Sequence, residues 1–364
     1  MNSIDLAIIE FIRKDEADCT DSEFNELALR LFQHQYENNA TYQRFCESRQ
    51  HTPGAVQNWE DIPAVPTDAF KSVDFCSFPL EQKVRTFISS GTTQESRSRH
   101  HLETLAVYEA SLLPSFARHL LPDGAEMQML SLTPSSESHS ESSLYFMIGR
   151  VMKEWGAEGS DYFIQPDGTF ATNELADALE LSQEQGRPVM LLGAAFSFVY
   201  FLDWMTENRR SFQLPPGSRL METGGYKGQT REISRDELLT LFEQQLGVPP
   251  THCVNEYGMT ELCVQFYDHA LRDMHEGLEP RRHKSIPHWS RVQILDPESL
   301  QQTAEGETGI IQVCDLSNRC SIIQIMTADL GRKTADGFEI LGRASTAESR
   351  GCSLTLDELL RSGC

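Results

Sequence analysis

The sequence is poor in positive charge. Its 31 Lys and Arg residues stand against 54 Asp and Glu, for a formal net charge of −23, and no polybasic run offsets the excess. A nucleic-acid backbone and an anionic lipid surface both call for a cationic footprint, so neither is an expected partner. Also missing is an uninterrupted apolar run of about 18 residues, the length that membrane insertion requires. The longest candidate, LLGAAFSFVYFLDWM at 191–205, is broken by Asp203. The amino terminus, MNSIDLAIIEFIRKDEAD, lacks the basic start and apolar core of a signal peptide. The nine cysteines are odd in number and scattered, with no CxxC pair and no HExxH beside them. That pattern speaks against a disulfide framework and against a zinc site. GxxxxGK[ST] does not occur either, which excludes a Walker-type phosphate loop. Together these absences describe a protein of the reducing cytoplasm.

What is present is globular. A chain of 364 residues, 39% of them apolar, is long enough for one large domain or two ordinary ones. The first 60 residues read as helical: Thr20 and Glu23 have capping-box spacing, and Phe24, Leu27, Ala28, Leu31 and Phe32 recur at helical intervals. After a proline-punctuated passage and a strand at 84–88, the pattern alternates. Helices are predicted at about 102–120, 142–155, 173–185 and 234–246, the last with a second capping box at Ser234 and Glu237 and an end at Gly247. Between them lie the short apolar runs MQMLSL, PVMLLG, RLMET and THCVN. Such alternation predicts an α/β domain with a largely parallel sheet. Beyond residue 290 only short strands remain, separated by turn residues. The expected division is therefore 1–290 for a helical amino-terminal region and α/β core, 291–345 for a small β subdomain packed on it, and 346–364 for a short tail.

Three stretches carry the chemistry. Ser89-Ser90-Gly91-Thr92-Thr93 follows the strand at 84–88, and Arg97 and Arg99 lie just beyond. Backbone N–H groups, hydroxyls and a nearby guanidinium suit phosphate oxygens, although such a loop taken alone is more often an ordinary turn. Glu256-Tyr257-Gly258-Met259-Thr260-Glu261 follows THCVN and offers a ring to stack on a purine, a hydroxyl for a phosphate and a carboxylate for Mg²⁺. It also fits a plain strand-to-helix turn. In the third, Thr327-Ala328-Asp329-Leu330-Gly331 precedes Gly337-Phe338-Glu339-Ile340-Leu341-Gly342-Arg343. An aspartate at a strand end can take both hydroxyls of a ribose; the same residues also fit a hairpin with an Asp-Gly turn.

Taken in order, SSGTT, EYGMTE and TADLG with GFEILGR resemble the core motifs of the adenylate-forming superfamily of acyl-CoA synthetases, over roughly residues 80–345. LMETGGYKGQTREISRDEL, NEYGMTELCVQFYD and GRASTAESRGCSL narrow the likeness to the acyl-protein synthetase family, which includes the fatty-acid ligase of bacterial bioluminescence operons. The resemblance implies an adenylate-forming large domain with a small carboxy-terminal β portion, lacking the usual mobile carboxy-terminal domain. It implies a ligase that uses ATP and Mg²⁺ to activate a fatty acid. Ser89 to Thr93 would hold the phosphates, and Gly224 and Gly225 would run along the adenine, with Tyr257 and Gly258 beside it. Thr260 would touch the α-phosphate, Glu261 would bind the metal, and Asp329 would take the ribose hydroxyls with help from Arg343. The acyl group would pass to a cysteine near the carboxyl terminus, Cys364 being expected and Cys352 the competing thiol, and then to an acyl reductase. Alternatives are transfer to coenzyme A or a carrier protein, and an inactive relative kept as an interaction subunit. Whether the acid is aliphatic or aromatic stays open.

Two departures accompany the likeness. The superfamily's phosphate loop carries Gly and Lys after GTT, where this chain has Gln94, Glu95 and Arg97; Arg97 or Arg99 is the candidate replacement charge. The chain also ends soon after Arg343, without the domain that holds a catalytic lysine in most relatives. Two further features are ambivalent: His139 in a hydroxyl-rich loop, near a substrate carboxylate or merely solvated, and Phe196, Phe198 and Phe201, lining an acyl tunnel or packing a core helix.

Overall fold

The computed structural model describes residues 2–90, 97–225 and 230–344, together with Thr355 and Leu359. The amino-terminal periodicity folds as α1 (Ser3–Arg13), α2 (Asp21–Asn38) and α3 (Ala40–Ser48). The Thr20 hydroxyl accepts from the Glu23 N–H while the Glu23 carboxylate accepts from the Thr20 N–H, which completes the expected capping box. Phe24, Leu27, Ala28, Leu31 and Phe32 all turn inward. Next along the chain come β1 (Val65–Pro66), β2 (Arg85–Ile88), β3 (Arg99–Leu102) and α4 (Ala106–Leu120). An alternating series follows: β4 (Gln128–Leu132), α5 (Ser143–Trp155), β5 (Asp161–Tyr162), α6 (Thr172–Gln185), β6 (Val189–Ala194), α7 (Ala195–Glu207), β7 (Arg219–Thr223), α8 (Arg235–Leu246) and β8 (Cys253–Tyr257). The chain continues through β9 (Phe266–Tyr267), α9 (Ala270–His275), β10 (Ser290–Leu295), β11 (Thr308–Asp315), β12 (Gln324–Thr334) and β13 (Gly337–Arg343).

Contacts divide the chain into two units. Residues 113–258 and 266–282 form one of them. Its sheet runs β5-β4-β6-β7-β8-β9, parallel throughout except for the last strand. β6 and β7 are buried at every position, β6 as the near-continuous apolar run of a covered parallel strand and β7 with Arg219, Glu222 and Thr223 among its buried residues. The run at 191–205 is the end of β6 followed by α7. Phe198 and Phe201, each 1% exposed, pack in the core of this unit with Leu179, Leu191 and Phe242, which is the core-helix alternative.

Residues 1–112, 259–265 and 283–364 form the other unit. Its sheet runs β1-β12-β11-β10, with β13 paired to β12; β1 lies parallel to β12 through Val65 opposite Ile325. β2 and β3 make a separate antiparallel pair. The division therefore does not follow the expected boundary at residue 290. The late strands recruit β1, and the amino-terminal helices bond to the loop between β11 and β12. Apart from Thr355 and Leu359, the expected tail lies outside the described residues. Among the described residues no helix is long and apolar enough to cross a membrane.

Candidate functional site

The phosphate-loop candidate follows a strand as expected, and that strand belongs to a separate antiparallel hairpin. β2 and β3 pair from Arg85 opposite Leu102 to Ile88 opposite Arg99, and the chain between them closes at a neck. Ser89 donates its N–H to the Ser98 carbonyl at 3.0 Å, and Ser98 donates its N–H to the Ser89 hydroxyl at 2.9 Å. Arg97 Nε donates to the Ser89 carbonyl at 2.6 Å, and Arg99 Nε pairs with Asp74 at 2.7 Å. Both candidate arginines thus already hold partners of this unit. Ser90 is exposed at the start of the loop; Gly91, Thr92 and Thr93 lie outside the described residues.

Residues 259–265, which carry Thr260 and Glu261, meet this neck. Glu261 is 6% exposed. Burial raises its carboxyl above the usual range, opposed by a hydrogen bond from the Ser98 hydroxyl and by the charges of Lys71 and Arg343. The Thr260 carbonyl accepts from His100 Nδ1 at 2.8 Å. Because a carbonyl only accepts, Nδ1 carries the proton, and burial pushes this imidazole down to about 4, so the ring is neutral at pH 7. The segment also binds the loop after β11. Asn318 Nδ2 donates to the Glu261 carbonyl at 2.8 Å, and the Asp315 carboxylate accepts from the N–H groups of Cys263 and Val264 at 2.9 and 3.0 Å. Ser98 was read only as part of the hydroxyl-rich stretch after the loop, and His100, Asp315 and Asn318 are partners of this segment that sequence reasoning missed. Only Ser98 adjoins a quoted motif; the others lie in stretches with no signal beyond a polar residue beside an apolar run.

Asp329 does not sit at a strand end. It lies within β12, opposite Arg343 of β13, where the ladder shifts register between Leu330 and Gly331. Such a bulge re-aims side chains without ending the strand. The Asp329 N–H donates to Thr327 Oγ1 at 3.1 Å, and Arg343 Nε lies 3.5 Å from its carboxylate. Arg343 is 85% exposed, so this pair adds little stability and leaves a cation facing solvent. The Asp-Gly turn read at 336–337 does join the two strands.

In the other unit, Gly224 and Gly225 follow β7, Tyr257 ends β8 and Gly258 follows it. These strands are parallel neighbours with Thr223 opposite Glu256, so all four residues share the carboxyl end of the sheet, where ligands of α/β proteins collect. Gly224 takes φ 71°, which a side chain would strain, and both glycines are exposed. The Thr223 hydroxyl donates to the Glu256 carboxylate. That carboxylate lies so close to Gly258 that a Cβ there would meet its oxygen at 2.4 Å. The Tyr257 ring packs 6.2 Å from that of Phe266. No helix follows this strand directly; the chain turns to β9. His139, half-buried, touches Ser138 and the Tyr145 ring.

Among the described residues no group of three or more His, Cys, Asp or Glu is arranged to hold a metal. A single buried carboxylate is instead the donor set that suits Mg²⁺ carried largely by substrate phosphates and water.

A family profile described as "Acyl-protein synthetase, LuxE" matches residues 14–361. The long-chain-fatty-acid–luciferin-component ligase of Aliivibrio fischeri is 22% identical over 349 residues, which cover 93% of this chain and 88% of that one. The protein of the same name from Vibrio harveyi is 23% identical over 345 residues, 92% and 87% of the two chains. Among solved structures, 2-hydroxyisobutyryl-CoA ligase in complex with 2-HIB-AMP and CoA superposes with a TM-score of 0.64 at 14% identity, over 90% of this chain and 69% of that one. ATP-bound MatB from Rhodopseudomonas palustris gives 0.52 at 16%; 73% of this chain is covered, but only 49% of MatB, about half its length. At these identities the structural likeness bears on the fold, which is that of adenylate-forming ligases.

Proposed function

From the premise that this chain belongs to the acyl-protein synthetase family and is an acid–thiol ligase, we propose that it activates a long-chain fatty acid with ATP and transfers the acyl group to a cysteine thiol. In the first step a carboxylate oxygen of the acid attacks the α-phosphorus of ATP, the bond to the β-phosphate oxygen breaks, and pyrophosphate leaves. Ser89 and Ser90, with Gly91 to Thr93, surround the phosphates, and Thr260 reaches the α-phosphate. Gly224, Gly225 and Gly258 give the adenine a side-chain-free surface and Tyr257 stacks on it. Asp329 takes the ribose hydroxyls and Arg343 supports them. Glu261 is the residue that would hold Mg²⁺, which when bound offsets charge on the phosphates. The observation that carries this reading is that the segment holding Thr260 and the buried Glu261 is tied to the hairpin of the phosphate-loop candidate, through the bond from His100 Nδ1 to the Thr260 carbonyl at 2.8 Å.

In the second step a thiolate attacks the acyl carbonyl carbon, a thioester forms and AMP leaves with the electron pair of the anhydride bond. The described cysteines are poor candidates for that thiolate. Burial raises the thiols of Cys46 and Cys76 to about 12 and holds Cys19, Cys253, Cys263, Cys314 and Cys320 above their ordinary value as well. Cys352 and Cys364 remain, both outside the described residues, and Cys364 is the proposed acceptor. The thioester then passes to a partner such as a fatty acid reductase.

Intact-protein mass spectrometry after incubation with ATP, Mg²⁺ and a mixture of fatty and aryl acids tests both steps. The expected result is a hydroxylamine-labile mass gain matching one fatty acid, absent in Cys364→Ser, which still releases pyrophosphate. Full labelling of Cys364→Ser would move the acceptor to another thiol. Pyrophosphate release without any mass gain would point to an external acceptor, coenzyme A or a carrier protein.

A further inference from the structure

Residues 259–265 have no strand or helix of their own, yet Leu262 to Gln265 are buried. Backbone groups removed from water must find partners, and an irregular segment cannot supply them through a ladder. Here side chains supply them: His100 to the Thr260 carbonyl, Asn318 to the Glu261 carbonyl, and Asp315 to the N–H groups of Cys263 and Val264. Two of the three stand at the end of β11 (Asp315) and on the loop 316–323 that follows it (Asn318), which is itself buried at every residue.

That loop is held with equal definition. The Asn318 amide has one possible orientation, because the Glu261 carbonyl only accepts and the Ser321 hydroxyl donates to Asn318 Oδ1 at 2.9 Å. Gln35 of α2 pins both ends, giving its Nε2 to the Asn318 carbonyl and taking the Ile323 N–H on its Oε1, each at 2.8 Å. Arg319 is bound to Asp5 of α1 at 2.6 Å and to Glu103. Ser77 donates its N–H to the Cys320 carbonyl at 2.9 Å.

We infer that Asn318, oriented by Ser321 and backed by Gln35, is a positioning residue for the Glu261 carboxylate: its amide fixes the peptide of Glu261 and so the direction of the side chain toward the Ser98 neck. Without that donor the Glu261 carbonyl is left buried and unpaired. Rotation of the peptide relieves the defect and carries the carboxylate away from the metal. The inference rests on the proposed role of Glu261 in holding Mg²⁺.

The test is a titration of the full-length protein with Mn²⁺ in the presence of a non-hydrolysable ATP analogue, read by electron paramagnetic resonance. Asn318→Ala is expected to weaken Mn²⁺ binding about tenfold. Leu179→Ala, a core truncation in the second unit, is expected to lower the melting temperature while leaving Mn²⁺ affinity at the wild-type value. Wild-type affinity in Asn318→Ala, or equal weakening in both variants, would overturn the inference. If Asn318→Ala does not fold, Ser321→Ala removes only the hydroxyl that orients the amide; weakened Mn²⁺ binding supports the inference and unchanged binding overturns it. Glu261→Gln separates the two levels. Retained Mn²⁺ binding there removes the metal role and the positioning role together. Loss of binding in Glu261→Gln, with wild-type binding in both Asn318→Ala and Ser321→Ala, removes the positioning role alone.

Discussion

Burial raises the Glu261 carboxyl, yet the hydrogen bond from Ser98 and the charges of Lys71 and Arg343 favour its ionised form. A divalent cation beside it would favour that form further. Glu261→Ala is accordingly expected to abolish ATP–pyrophosphate exchange while ATP still binds; near-normal exchange would remove this carboxylate from the site. Thr260 and Glu261 could be proposed from the sequence because the chemistry proposed for them resides in their own side chains and in the spacing of EYGMTE. His100 and Asn318 were not. Each matters for a bond to a backbone carbonyl far away in the chain, 160 residues for His100 and 57 for Asn318, and no local pattern encodes such a bond. Asp329 was read at a strand end and lies instead within β12, since a bulge leaves no mark in composition.

Elements announced themselves where their signals are local. The Thr20–Glu23 box is complete, and Thr20→Ala should cost about 1 kcal/mol in urea unfolding through the loss of that cap. The box expected at Ser234 is only half made. Ser234 accepts from the Glu237 N–H at 3.1 Å, but the Glu237 carboxylate turns to Arg231 at 3.2 Å, a partner that precedes the helix. The longer apolar strands were legible, because apolar runs bounded by turn residues have few other uses, but the short or polar β1, β3, β5 and β9 were not read. Strand partnership was not legible. β2 joins β3 alone and β1 joins β12 across most of the chain, choices made by tertiary packing. The same limit applies to 191–205, whose apolar spacing suited a tunnel and a core helix equally until Phe198 and Phe201 were found packed against Phe242, Phe170 and Trp204.

At the scale of the whole molecule, acid should be destabilising for a definite reason. Burial pushes the rings of His100 and His119 down to about 4 and about 3 from an ordinary value of 6.5. The unfolded chain therefore binds protons at both rings from about pH 6.5 downward while the folded chain does not until lower pH. Stability is full above that value and falls as the pH drops through the window, by something of the order of 2 kcal/mol per ring at pH 5. Urea unfolding at pH 7 and pH 5 checks this. The midpoint should fall in the wild type, and by less in His119→Gln once its own baseline at pH 7 is taken into account. An unchanged midpoint in the wild type would mean that neither ring is held neutral.

The bonds between the first helices and the loop 316–323 also set an order in time. A ribosome delivers α1 and α2 long before it has made Asn318, Arg319 and Ile323, so Asp5 and Gln35 emerge while the groups that will bury them do not yet exist. Residues 113–258, most of the second unit, are by contrast made in one continuous stretch. During synthesis the middle of the chain can fold while its beginning waits. The unit that carries Glu261 is complete only once the loop 316–323 has been made to meet α1 and α2.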